Sequence, residues 1–276
     1  MEGILIPGLP NDVALQILAR IPREYYCEAI PRVSSSWREA VKSPELFALR
    51  KRLRVTESWI YAAVKDPFFI RWCARNSTAE DSEWWPLPLM REEHRPICGF
   101  SCAVIGELLF VIGGCEVQEY GSHWPAINKV SVFNARTNRW NCLQEMKDAR
   151  LFFACGVVNE KLYVAGGQRS YCPYDSDCDG DDLTALKSAE MYNPLTYVWT
   201  PVADMIHAKY KVHASIIDGR FVVHGYLERK MAEAFQAEEN RWVEFDGVEE
   251  NKTEIEEDDE KCGLISHAEA FVVISI

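Results

Sequence analysis

Apolar residues follow two different rhythms along this chain. Over residues 4–50 they recur every three or four positions, the spacing of helices with one buried face. Leu9-Pro10-Asn11-Asp12 opens a first helix in which Val13, Ile17, Leu18 and Ile21 fall at helical spacing before Pro22 ends it. A second helical stretch runs from about Tyr25 to Ser35, with Pro31 tolerable only near a first turn or a kink, and a third from Ser36-Trp37 to Ser43-Pro44. From about residue 59 the rhythm changes to short β-branched and aromatic runs. The clearest is Glu107-Leu108-Leu109-Phe110-Val111-Ile112-Gly113-Gly114. It returns as Glu160-Lys161-Leu162-Tyr163-Val164-Ala165-Gly166-Gly167 and, worn, as Gly219-Arg220-Phe221-Val222-Val223-His224-Gly225-Tyr226. Each is followed by an aromatic residue and a Trp seven positions later: Phe133 and Trp140, Tyr192 and Trp199, Phe235 and Trp242.

A run of this kind ending in Gly-Gly reads as a buried strand whose end needs positive φ or close backbone approach. Before each lies another apolar run, joined to it by Gly106-Glu107, Asn159-Glu160 or Asp218-Gly219, and after each the aromatic–turn–Trp segment forms a second hairpin. Four strands per unit, repeating every 43 to 59 residues between Trp positions, predict β-propeller blades. Gly-Gly, an aromatic and Trp at this spacing resemble the kelch repeat, from which His224-Gly225-Tyr226 departs. The units fall at about 99–146, 152–205 and 212–246, with a degenerate first blade over about 59–90 that lacks Gly-Gly. The run 269–276 either completes that first blade, giving four, or belongs to a shortened version of a longer, five- or six-bladed relative.

Three helices in about 40 residues bury a poor core alone and leave an apolar face for a partner. Residues 4–50 resemble the F-box, carried by Leu9-Pro10-x-Asp12-Val13, Ile17-Leu18-Ala19-Arg20-Ile21-Pro22, Val33-Ser34-Ser35-Ser36-Trp37-Arg38 and Ser43-Pro44-Glu45-Leu46. In that family the motif binds a Skp1-like adaptor and, through it, a cullin–RING ubiquitin ligase. The resemblance makes Leu9, Pro10, Ile17, Leu18, Ile21, Pro22, Val33 and Trp37 the candidate adaptor-binding or motif-defining residues, although the same side chains could simply hold the helices together. The expected fold is therefore multi-domain, α plus all-β: a three-helix F-box over 4–50 and a kelch propeller over 59–276, four-bladed or incomplete. Arg50-Lys51-Arg52-Leu53-Arg54 between them reads as the solvated face of a connecting helix.

Composition narrows the function. The net charge of −12 argues against broad nucleic-acid or anionic-membrane binding. It is divided as +3 over residues 1–54 and −15 over the rest, and the acid-rich stretch Glu244–Glu260 reads as a solvated loop. No window resembles a signal peptide or a membrane span, so the expected location is cytoplasmic, nuclear or both. The ten cysteines are scattered without Cys-x-x-Cys and read as reduced thiols. Asp175-Ser176-Asp177-Cys178-Asp179-Gly180-Asp181 imitates half a calcium loop, but Leu186 stands where the bidentate Glu is needed. No metal, cofactor or catalytic constellation is expected. What remains is a binding face made by the long loops after the Gly-bearing strands and between blades, with Tyr120, His123, Trp124, Arg150, Arg169, Tyr171, Tyr174, Lys209 and Tyr210 as its exposed candidates. The function that the resemblance implies is a non-catalytic, substrate-recognition subunit of a Skp1–cullin–F-box ligase acting on an unidentified target protein. The alternative is a kelch interaction scaffold acting outside a ligase.

Overall fold

The computed structural model describes residues 4–27, 29–65, 70–79, 82–90, 97–116, 124–171, 185–225, 232–246 and 268–275. The N-terminal module has five short helices: α1 (Asn11–Leu18), α2 (Glu24–Cys27), α3 (Ile30–Val33), α4 (Ser35–Ala40) and α5 (Pro44–Leu53). The expected second helix is divided into α2 and α3, with Pro31 in the first turn of α3, where its missing N–H costs nothing. Serines start the next two helices. The Trp37 N–H donates to Ser34 Oγ (3.1 Å), the Leu46 N–H to Ser43 Oγ (3.2 Å), and Pro44 takes the first helical position of α5. Leu5, Ala14, Leu18, Tyr26, Ile30, Val41, Leu46 and Leu49 form the module's core.

Among the described residues four four-stranded antiparallel sheets follow, with two short two-stranded ladders beside them. From inner to outer strand, the first is Ala268–Ser275, Ser58–Lys65, Ile70–Asn76 and Trp85–Pro86. The second is Ser101–Ile105, Leu108–Ile112, Val130–Asn134 and Arg139–Cys142, and the third Ala154–Val158, Lys161–Ala165, Ala189–Asn193 and Val198–Val202. The fourth is Val212–Ile217, Arg220–Gly225, Ala232–Gln236 and Arg241–Phe245. The last strand of the chain thus lies beside the first strand of the propeller, Ile60 opposite Val273 and Ala62 opposite Phe271, with a register shift at Ala63/Val64.

The blades stand side by side, inner strand against inner strand. Three apolar seams join them. Trp59, Tyr61 and Trp72 of the first blade meet Leu109, Val111 and Phe133 of the second; Phe110 and Ile112 meet Leu162, Val164, Tyr192 and Trp199; Tyr163 and Ala165 meet Phe221, Val223, Phe235 and Trp242. The repeated aromatic–Trp pair is therefore a seam element: each blade points it at the preceding one, and Trp199 and Trp242 also donate their indole N–H to Gln144 O (3.0 Å) and Ala203 O (2.7 Å) of the intervening links. Among the described residues no comparable seam joins the fourth blade to the first.

The Gly-Gly pairs serve those links. Gly113 has φ +60, and a Cβ there would stand 2.5 Å from the Arg150 carbonyl oxygen; at Gly167, φ +87, it would stand 2.6 Å from that of Leu151. Only glycine lets a link pass this close, the following one at Gly113 and the preceding one at Gly167.

Candidate functional surfaces

In α1 the side chains divide cleanly. Ala14 and Leu18 are fully buried, while Val13 and Ile17, one turn apart, face outward with Ile17 43% exposed. Leu9, four residues before Val13, and Pro10 are also exposed, as are Ile4, Pro22 and Val33, the last at 60%. Of the residues predicted for the adaptor, Leu9, Pro10, Ile17, Pro22 and Val33 therefore lie on the surface. Leu18 is a core residue, and Ile21 and Trp37 are half-buried against that core, with Trp37 Nε1 donating to Leu5 O at 2.5 Å. Val13 and Ile4 were not among the expected residues; the four-residue step from Leu9 through Val13 to Ile17 was the available signal.

The helical module is held to the propeller by a polar junction that no sequence motif announces. Arg50 is buried, not part of a solvated basic face as expected: it donates to Ala19 O (2.8 Å), Ile21 O (2.9 Å), Tyr26 Oη (3.0 Å), Val55 O (2.8 Å) and Glu57 Oε1 (2.8 Å). Glu57 also accepts from the Arg23 N–H (3.1 Å) and from Trp59 Nε1 (3.0 Å). Arg23, buried in turn, donates to Tyr61 Oη (2.8 Å) in the first blade and to the Ala135 carbonyl in the hairpin turn of the second. Phe47 enters the seam between those blades, under the Arg136 guanidinium. The helices consequently sit on the short-turn side of the propeller, away from the long loops. A cleft of about 220 Å³ at the junction is lined by Arg23, Glu24, Trp59, Tyr61, Trp85 and Asn138, among others.

Of the residues expected on the long-loop face, Tyr120, His123 and Tyr174 lie outside the described residues, as do Asp175–Asp181 and most of Glu244–Glu260. Two of the other candidates are not exposed. Arg150 is fully buried, its guanidinium donating to Gly166 O (2.8 Å), Ser188 O (3.0 Å) and Glu190 Oε1 (2.9 Å). Trp124 is buried beside Tyr171, rings 6.0 Å apart, and Tyr171 meets Phe152 edge-on at 5.4 Å. The remaining candidates differ, and Lys209 too is covered where exposure was expected. Arg169 is exposed and paired with Asp148 at 3.3 Å, Tyr171 is half-buried, Lys209 is mostly covered and bonded to Glu233 at 3.0 Å, and Tyr210 is exposed. Among the described residues no three His, Cys, Asp or Glu side chains gather as metal ligands, and no helix is long and apolar enough to cross a membrane.

A small helical module with an outward apolar row, locked to a row of four-stranded blades, defines the class as an F-box joined to a kelch propeller. The F-box domain model matches residues 6–49 and the Kelch motif model residues 96–147 and 149–206, together more than half of the chain. The chain belongs to the F-box/kelch-repeat proteins. Among Arabidopsis thaliana relatives, F-box/kelch-repeat protein At1g22040 is 31% identical over 245 residues, 75% of this chain and 48% of that protein. F-box/kelch-repeat protein SKIP30 is 32% identical over 230 residues, covering 82% and 59%, and SKIP4 is 28% identical over 254, covering 88% and 63%. The chain thus spans about half to two-thirds of the length of these relatives. The solved structure of YjhT superposes with a TM-score of 0.51 at 17% identity, over 69% of this chain and 66% of that one, a likeness of fold.

Proposed function

We propose that this chain is the target-recognition subunit of a Skp1–cullin–F-box ubiquitin ligase, without catalytic chemistry of its own. The helical module holds a Skp1-like adaptor and through it the cullin, and the propeller holds the protein to be ubiquitylated. The observation that carries this reading is the outward row Leu9, Val13 and Ile17, flanked by exposed Pro10 and Val33: aliphatic side chains on a module whose core is already complete behind them. A contiguous exposed apolar row on a module whose core is already filled marks a protein interaction surface. The target side of the proposal is the long-loop face, with Arg169, Tyr171 and Tyr210 as its described members and Val13 joining the adaptor set. Because the helices occupy the short-turn side, adaptor and target do not compete for surface.

Calorimetric titration of a purified Skp1-like adaptor into the full chain tests this. Tight binding is expected, and Ile17→Asp should weaken it by about 2–4 kcal/mol, roughly 30- to 1,000-fold. The thermal midpoint should stay in place, because the side chain already faces water. A folded native chain that leaves the adaptor unbound overturns the proposal and leaves an interaction scaffold acting outside a ligase.

A further inference from the structure

Cys98 and Cys115 stand directly opposite each other in the short antiparallel ladder of Ile97–Cys98 with Cys115–Glu116. Their Sγ atoms are 3.3 Å apart. Directly opposed residues of antiparallel strands have Cα atoms about 4.5–5.5 Å apart, inside the roughly 4.4–6.8 Å that a disulfide spans, so joining the sulfurs needs side-chain rotation and little backbone movement. The ladder is held from outside the pair: the Gly114 N–H donates to Arg150 O (2.9 Å) and the Phe152 N–H to Gly99 O (2.8 Å). Gly114 adds to this, because a Cβ there would lie 2.7 Å from the Cys98 carbonyl oxygen. Both residues are thiols in the structure, Cys115 buried and Cys98 half-buried.

The other described cysteines lack this combination. Cys102 and Cys155 lie on inner strands, where burial pushes the Cys102 thiol well up and that of Cys155 up to about 12, and burial raises Cys73 as well. Thiols held protonated in this way are poor first nucleophiles toward peroxide, a role that falls to half-buried Cys98 and not to its buried partner. Cys142 is exposed and sits on an outer strand.

We propose that Cys98 and Cys115 are a reversible dithiol–disulfide pair whose oxidant is a peroxide. The Cys98 thiolate, the more accessible, attacks the O–O bond of hydrogen peroxide, giving a sulfenic acid and hydroxide, which takes up the proton the thiol had released and leaves as one water. The Cys115 thiol then attacks that sulfur as it gives up its proton, the S–S bond forms, and the sulfenic oxygen leaves with that proton as a second water. In sum, two thiols and one peroxide give a disulfide and two waters, with two electrons passing from sulfur to oxygen. Exchange with a cellular dithiol restores the pair, the transient behaviour expected of a disulfide in a reducing compartment. The bond staples the entry of the second blade to the exit of its Gly-Gly strand, within the cluster that the two cysteines form with Trp124, Leu151, Phe152 and Tyr171.

The test is graded hydrogen peroxide treatment of the full chain, alkylation, and digestion with a protease cutting after Glu. Cleavage after Glu93, Glu107 and Glu116 places the two cysteines on separate fragments, 94–107 and 108–116. Those fragments should be joined through Cys98, with the bond removed by dithiothreitol and its formation accompanied by a rise of a few degrees in Tm. Cys98→Ser should return Cys115 to its alkylated form after peroxide. If Cys142 is oxidised while Cys98 and Cys115 both remain alkylatable, or if the bond maps to Cys102, the proposal is overturned. The readout is on the native chain, so it does not depend on whether a variant folds.

Discussion

The links that lead into the third and fourth blades occupy the same slot with different residues. In the third, Arg150 lies under the link and Glu190 of the neighbouring strand receives it at 2.9 Å; Glu190 also accepts the N–H groups of Lys147 (2.7 Å) and Asp148 (3.1 Å). In the fourth, Lys209 and Glu233 take these places at 3.0 Å, with the N–H groups of Ile206 (2.7 Å) and His207 (3.2 Å). The carboxylate does the same work in both, satisfying two backbone donors that the link leaves unpaired. The cation differs. The planar Arg150 guanidinium also reaches Gly166 O and Ser188 O, whereas the single ammonium of Lys209 has been placed against Glu233 with His207 Nδ1 alongside at 3.3 Å. A basic residue in this slot therefore belongs to the frame that carries the long loops, and the recognition surface must be sought in residues such as Arg169 and Tyr210 that the frame leaves outside.

Removing Arg150 tests the stronger of the two clamps. Arg150→Ala leaves Glu190 charged and buried with only its backbone donors, Gly166 O loses the guanidinium, and Ser188 O keeps only the Gly166 N–H (3.1 Å). A loss of about 3–5 kcal/mol is expected in denaturant unfolding monitored by tryptophan fluorescence. Because the fourth blade works with lysine here, Arg150→Lys should recover part of the loss. A lysine variant as unstable as the alanine one would break the equivalence of the two links.

Lys209→Ala should cost less, about 2 kcal/mol, because Glu233 keeps two backbone donors and the His207 ring beside it. A cost equal to that of Arg150→Ala would mean that the additional guanidinium bonds contribute little.

These clamps mark where reading the sequence stopped. The blades were legible because each carries its own copy of a buried run, a glycine bend and an aromatic–Trp pair, and physical need repeats with the copy. The division of α1 into Ala14 and Leu18 inside, Val13 and Ile17 outside was half legible: helical spacing shows that an apolar stripe exists, but a stripe wide enough for both a core and a partner does not say which residues serve which. Arg150 and Lys209 were misread as exposed because a cation in a polar link looks solvated until its carboxylate is found some 25 to 40 residues away, Glu190 or Glu233. Arg23 was missed because its partners Tyr61 and Ala135 lie in the propeller, and Arg50 with Glu57, seven residues apart, because nothing local tells a buried pair from a solvated one. Trp124 was taken for loop surface, but the strand Ser170–Tyr171 from the next blade pairs with Trp124–Pro125, and Cys115 and Leu151 pack beside the indole.

The smallest expected effect concerns the position before Ala149 and Ala208, where the links differ most in chemistry: Asp148 in the third blade, His207 in the fourth. Partial burial pushes the Asp148 carboxyl up, but a hydrogen bond with Ser188 and the cations of Arg150, Arg169 and Lys147 outweigh it and hold the carboxyl below its ordinary range. A carboxyl with a lower pKa in the folded than in the unfolded chain contributes stability that is fully present above its unfolded value, about 3.9, and is lost as pH falls through the folded one. Asp148→Asn should therefore cost a few tenths of a kcal/mol at neutral pH, the screened value for a partly exposed ion pair, and the difference from the native chain should shrink below about pH 4. Denaturant midpoints measured across that range decide it. Curves that stay parallel down to pH 3 would show that Asp148 acts through its shape and hydrogen bonds, leaving the Arg150–Glu190 pair as the only charge interaction that matters to this link.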